Sequence, residues 1–120
     1  MLSSAEMKAV LQTYLDAFNR GDAEAISALY AEDATVEDPV GSPPKRGRQA
    51  ILDFYREAIA TGAKATLDSP IRGSHGNGAA LAFSVKVGPV TVRVIDTMTF
   101  DASGRITQMK AYFGPDDFVQ

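Results

Sequence analysis

The sequence predicts an α+β fold, with three N-terminal helices packed on a curved, mostly antiparallel sheet that encloses an apolar pocket. Three observations predict it. Apolar residues recur three and four apart in the first half and alternate singly from about Lys64 onward. Gly- and Pro-rich breaks separate these stretches, with no internal repeat, low-complexity tract or linker. The chain has 120 residues, 45% hydrophobic and 22% charged, which suits one domain over 1–120 with a buried core.

The first helix opens on Ser3-x-x-Glu6, where each side chain can satisfy the other's free backbone N–H. Met7, Val10, Leu11, Tyr14, Leu15 and Phe18 then form one apolar face. Gly21 suits a left-handed stop, and Asp22 caps a second helix expected to reach about Tyr30, with Ala25, Ile26, Leu29 and Tyr30 inward. Ala34 to Glu37 reads as extended, and Asp38 to Pro44 as a bend, because three prolines forbid regular pairing. The basic run Lys45-Arg46-Gly47-Arg48 reads as a solvated turn before a third helix, whose face is Ile51, Phe54, Tyr55, Ala58 and Ile59 and whose end is Gly62. Alternation then predicts strands near 64–72, 79–87, 90–101 and 105–113, joined tightly at Gly88-Pro89 and Ala102-Ser103-Gly104.

Composition removes several chemistries. With no cysteine and one histidine, thiol nucleophiles, disulfides and Cys/His zinc sites are excluded. His75 lies in Gly73-Ser74-His75-Gly76-Asn77-Gly78, a turn-rich loop that would hold a catalytic ring poorly. Acid and base roles therefore fall to Asp, Glu, Tyr or Lys. A net charge of −3 lacks the positive field that nucleic-acid binding needs, so no nucleic-acid partner is expected. The apolar runs are too short for a membrane span and no leader pattern opens the chain, so no membrane association is expected and a cytoplasmic location is the default.

Ionisable groups on apolar faces are the informative residues. In the strand Val90 to Phe100, alternation puts Val90, Val92, Val94, Asp96, Met98 and Phe100 on one side. A lone carboxylate there would be strongly desolvated, so Asp96 must be protonated, paired or hydrogen-bonded. It either pairs with an arginine such as Arg72, turns outward at a bulge, or stays buried as a neutral donor. Tyr14, Tyr30 and Tyr55 are phenols on inner helix faces. They are either core fillers whose hydroxyls reach the surface or a hydrogen-bonded chain that ends in the pocket. Asp38 follows Val36 on one strand face and precedes Pro39 and Val40, so it is a turn former or a carboxylate at the rim of an apolar pocket.

These residues resemble the bacterial Δ5-3-ketosteroid isomerases, of the cone-shaped fold shared with nuclear transport factor 2 and SnoaL. The resemblance spans nearly the whole chain: Tyr14, the stretch Tyr30-Ala31-Glu32-Asp33-Ala34-Thr35-Val36-Glu37-Asp38-Pro39-Val40-Gly41, Phe54-Tyr55, Val94-Ile95-Asp96 and Met109-Lys110-Ala111-Tyr112-Phe113. It implies that Asp38 is a general base, that Tyr14 and a protonated Asp96 form an oxyanion hole, and that Tyr30 and Tyr55 support Tyr14 in series. That family is itself the standard illustration of a carboxylic acid kept neutral to donate a hydrogen bond, so the assignment of Asp96 is carried by the resemblance. Val36, Val40, Phe54, Phe83, Val92, Val94, Met109 and Phe113 are the expected wall against a flat steroid substrate.

The implied reaction moves a C=C bond by proton transfer through a dienolate, which needs no cofactor and no metal. The resemblance also implies a homodimer paired through the sheets. Two features depart from the family: the hairpin at Val87-Gly88-Pro89-Val90 is short, and Phe113 stands where some members carry Trp. Other readings are a different cone-fold lyase, cyclase or epoxide hydrolase, for which no Asp-Arg-Asp set is evident, and a binding module for an apolar ligand, which would need the pocket but not Asp38.

Overall fold

The computed structural model describes residues Met1–Gln120. Helices α1 (Ser4–Asn19), α2 (Ala23–Ser27) and α3 (Arg48–Ala60) pack on a sheet of β1 (Tyr30–Glu37), β2 (Lys45–Arg46), β3 (Lys64–Leu67), β4 (Gly78–Val87), β5 (Val90–Phe100), β6 (Ile106–Tyr112) and β7 (Phe118–Val119). The strand order is β2-β1-β6-β5-β4-β3, with β7 added to β5 at Thr91 and Val92. Only β1 and β6 run parallel; every other pair is antiparallel.

The capping box forms as its spacing predicts: Glu6 N–H donates to Ser3 Oγ at 3.1 Å, and Ser3 N–H donates to Glu6 Oε1 at 2.8 Å. It starts α1, which buries Met7, Leu11, Tyr14 and Leu15 against the sheet. Asp22 caps α2 through Ala25 N–H at 3.0 Å. The expected end of that helix is corrected, since α2 stops at Ser27 and Tyr30 is the first residue of β1. Ile106 N–H donates to Leu29 carbonyl at 2.9 Å, which commits the chain to parallel pairing just where a further helical turn was expected.

Two other elements differ. The strand expected over 64–72 ends at Leu67, because Pro70 cannot donate to a ladder, and pairing resumes only as a single bridge from Arg72 to Ala80. Lys45 and Arg46 form a short exposed strand paired with Val36 and Thr35 rather than a free turn. The remaining strands lie within a residue or so of their expected bounds.

The alternation on β5 holds. Val94, Asp96, Met98 and Phe100 are buried under the helices, and Arg93 and Ile95 are exposed on the outer face. Asp96 stands opposite Leu81 of β4 and Ala111 of β6, in the middle of the sheet. Gly73 brings the loop before β4 hard against the start of α1, where a Cβ would come within 2.9 Å of the Ser4 carbonyl oxygen. Gly73→Ala is therefore expected to lower stability by about 1–3 kcal/mol, read from the midpoint of chemical denaturation. An unchanged midpoint would show that the loop is free to back away.

Candidate active site

Four elements converge on one buried polar cluster: α1 brings Tyr14, α3 brings Tyr55, the start of β1 brings Tyr30 and β5 brings Asp96. The hydroxyls of Tyr30 and Tyr55 lie 2.7 Å apart, and those of Tyr55 and Tyr14 lie 3.0 Å apart. Tyr14 hydroxyl donates to Asp96 Oδ2 at 3.4 Å. All four side chains are buried, Asp96 at 1% exposure. The tyrosines thus form a hydrogen-bonded series and are not fillers with hydroxyls at the surface. Arg72 is exposed and donates to Pro70 carbonyl, so it does not neutralise Asp96.

Three of its members, Tyr14, Tyr55 and Asp96, line a cavity of about 210 Å³. Leu15 and Phe18 of α1, Phe54 and Ala58 of α3, Phe83, Val85 and Val87 of β4, and Val92 and Val94 of β5 form most of its wall. Thr61, Ala63, Ala65 and Phe113 complete it, and Asp38 enters from the bend after β1. No Lys, Arg or His lines it.

Three of the expected wall residues lie elsewhere. Val36 and Met109 are register partners in the parallel β1–β6 pair and are fully buried in the core, leaving no surface to offer a ligand. Val40 lies beyond the bend, where its N–H donates to Ala111 carbonyl at 2.8 Å, and it is 39% exposed beside Ile95 and Tyr112 on the outer face. Phe54, Phe83, Val92, Val94 and Phe113 do line the cavity. The additional wall was signalled by periodicity: Phe18 is one helical turn from Tyr14, Ala58 one turn from Phe54, and Val85 and Val87 alternate with Phe83. His75 is exposed in its loop and outside the cavity.

Electrostatics separate the two carboxyls. Burial raises Asp96 well above the ordinary 3.8, the negative charge of Asp38 raises it further, and the hydrogen bond from Tyr14 opposes both only in part. Burial thus favours the neutral acid over the carboxylate at Asp96. Its Oδ1 is buried without any hydrogen-bond partner, an arrangement that natural interiors avoid. Asp38 is less enclosed. Burial pushes it up to about 6, and the Lys45 ammonium restrains the rise. Burial also raises the Tyr14, Tyr55 and Tyr30 phenols, which stay protonated donors. The cavity thus holds two carboxyls that burial raises to different degrees, Asp96 beside the Tyr14 phenol and the less enclosed Asp38 at about 6. No group of three or more His, Cys, Asp or Glu side chains is arranged to hold a metal ion.

Residues 11–109 match the model of the SnoaL-like domain. The chain belongs to the SnoaL-like family. Within what is known of such proteins, it is 46% identical over 97% of its length to a steroid Delta-isomerase from Nocardioides simplex, covering 96% of that protein. It is 26% identical over 82% of its length to the epoxide hydrolase LasB from Streptomyces lasalocidi, spanning 44% of that longer protein. The solved structure of SalBIII, described as an epoxide hydrolase/cyclase-like enzyme in pyran ring formation in polyether salinomycin, superposes with a TM-score of 0.90 at 25% identity and 98% coverage of both chains. The SnoaL-like fold of three helices on a mixed, mostly antiparallel, open sheet is therefore shared across different chemistries.

The raised Asp38 has a consequence for stability. The folded protein binds that proton more tightly than the unfolded chain, so the contribution of Asp38 to stability is fully present below the ordinary value of 3.8 and is lost as pH rises through about 6. Asp38→Asn removes the penalty. The variant is expected to exceed the parent by on the order of 2–3 kcal/mol at about pH 7.5 and to match it near pH 3, measured by urea denaturation. No gain at the higher pH would contradict the burial of an ionisable Asp38.

Proposed function

We propose that the protein is a steroid Δ-isomerase that converts 3-oxo-Δ5-steroids into their conjugated 3-oxo-Δ4 isomers. The observation that carries this reading is the unpartnered Asp96 Oδ1 beside the Tyr14 hydroxyl, in the lining of an apolar cavity that also contains Asp38. Two neutral donors with one vacant acceptor position suit an oxygen that gains negative charge. The likeness to the Nocardioides enzyme supports the same substrate class.

Asp38 is the general base in this mechanism. Its carboxylate breaks a C–H bond at the carbon between the ketone and the alkene, and the electron pair passes through the conjugated system onto the ketone oxygen. Tyr14 turns its hydroxyl from Asp96 to that oxygen, and protonated Asp96 donates beside it. The proton on Asp38 then returns to the far alkene carbon, leaving the double bond conjugated with the ketone. Atoms and charge balance with one carboxylate and no cofactor. Tyr55 and Tyr30 donate in series behind Tyr14 and help its oxygen give up hydrogen-bond density to the dienolate. The apolar wall seats the rings and excludes water, which keeps the base strong and the dienolate unprotonated at oxygen.

An epoxide-opening activity like that named for LasB and SalBIII fits less well. Its nucleophilic water would need polar groups to hold it, and the cavity has no cation and only two carboxyls, one of them neutral. A homodimer belongs to the proposal as well. Ile95 and Tyr112 are adjacent partners on the outer sheet face, 50% and 47% exposed, with Val40 beside them, an apolar patch suited to a second sheet. No helix is long and apolar enough to cross a membrane, and we place the enzyme in the cytoplasm.

Adding a 5-ene-3-ketosteroid should produce conjugated-enone absorbance in the ultraviolet without any added cofactor. Asp38→Asn is expected to lower kcat by about 10²–10⁴-fold, and Tyr14→Phe by about 10²–10³-fold. Full turnover by Asp38→Asn would exclude it as the base, and a parent that binds the steroid without turnover would mark a binding module. The rate should rise with pH to a plateau with a midpoint at about 6, because Asp38 must be ionised to accept the proton. Light scattering should give a dimer mass that Tyr112→Glu shifts toward the monomer.

A further inference from the structure

We infer that Arg48 is a positioning residue for the isomerisation, clamping Tyr30 so that the tyrosine chain behind the oxyanion donor keeps its register. The inference rests on the isomerase reading and assigns a task to a residue that the proposed reaction itself leaves unused. Arg48 is the first residue of α3, and its Nε and Nη2 both donate to the Tyr30 carbonyl oxygen, at 2.9 and 2.8 Å. One planar guanidinium therefore joins the start of the helix that carries Tyr55 to the start of the strand that carries Tyr30. These two tyrosines share the shortest bond of the chain, 2.7 Å between hydroxyls.

The placement of Arg48 runs against local electrostatics. A cation in the first turn meets the positive end of the helix dipole, and α3 has no acidic residue there to offset it. Gly47, before it, supplies no side-chain cap. Helix formation alone does not favour arginine at this position, whereas the fork onto Tyr30 accounts for it. Tyr30 pairs with Ile106, and the β1–β6 register shifts between Tyr30 and Thr35, so the clamp holds the strand just before an irregularity in the ladder. Arg48 does not line the cavity. Its influence on the reacting oxygen passes from Tyr30 through Tyr55 to Tyr14, three hydroxyls whose polarisation depends on their spacing.

Arg48→Met and Arg48→Lys, alone and combined with Tyr30→Phe, test the inference. The readouts are kcat and KM with a 5-ene-3-ketosteroid and the ionised fraction of a bound fused-ring naphthol, whose naphtholate oxygen mimics the dienolate and is followed by fluorescence. Arg48→Met is expected to lower kcat about 3- to 10-fold with KM changed less than about 2-fold, and to lower the ionised fraction of the probe. Arg48→Lys, which keeps the charge but not the fork, should show a smaller loss of the same kind and serves if the Met variant does not fold. With Tyr30→Phe already present, either Arg48 change should add less than about 2-fold. Unchanged kcat and probe ionisation, or an equal loss in the Tyr30→Phe background, would overturn the inference. Absence of turnover by the parent would instead defeat the isomerase reading, and the naphthol readout would still decide whether Arg48 governs the donors.

Discussion

Burying the Asp96 carboxyl is the constraint on which the rest of this molecule depends. An ionised carboxyl at that depth, with no cation beside it, would lose several kcal/mol of hydration. Protonation relieves that loss but leaves an acid whose hydrogen and remaining lone pairs need partners. Tyr14 satisfies Oδ2, and nothing in the protein satisfies Oδ1. Tyr14 is in turn held by Tyr55, and Tyr55 by Tyr30, so a single polar thread ties α1, α3, β1 and β5 together inside an otherwise apolar core. Shifting any of these elements would strand a buried hydroxyl. The helices are thus positioned on the sheet by the same bonds that aim the two donors.

Asp38 and Asp96 are chemically identical and behave oppositely because of where the chain puts them. Asp96 lies mid-strand, sealed between Leu81 and Ala111. Asp38 lies just past the end of β1, where the bend leaves it partly open and Lys45 of the paired strand contributes positive charge. The mutual repulsion of two carboxylates in one cavity widens this separation: charge on Asp38 raises Asp96 further. In the proposed mechanism this difference lets a proton donor and a proton acceptor coexist at one pH without histidine, the side chain usually placed near neutrality. Their roles do not require two residue types, only two degrees of enclosure.

The parts that were legible in the sequence are those that depend on strict local periodicity. The period of two on Val90 to Phe100 placed Asp96 inward, and the helical spacing of Tyr14 and Tyr55 placed their rings on inner faces. Tyr30 was misplaced on a helix because Leu29 and Tyr30 continue the apolar spacing of α2, whereas a long-range bond from Ile106 to Leu29 decides the outcome. Val36 and Met109 were expected in the wall because they are apolar and near functional residues. Only the register of a parallel pair, which local pattern does not encode, shows that they lie side by side in the core. The two-residue strands β2 and β7 were equally hidden, since each exists only through its partner. The clamp of Arg48 on Tyr30 was likewise hidden, because a basic run has the same local pattern whether it is solvated or bonded across the fold.

The SnoaL-like fold supplies a cavity, and the few polar groups inside it decide its chemistry. Here those groups are few, and most of the wall, Phe18, Phe83 and Val87 among it, is apolar. That wall has two effects that cannot be tuned apart. It binds a flat hydrocarbon skeleton through buried area, and by excluding water it raises both Asp38 and Asp96. A wall made more polar to admit a more hydroxylated ligand would also lower both carboxyls, which in the proposed mechanism weakens Asp38 as the base and Asp96 as a donor. Substrate polarity and acid–base function are therefore coupled through one dielectric environment. On the proposed mechanism, an apolar substrate is a condition of the proton transfer as well as a match to the surface.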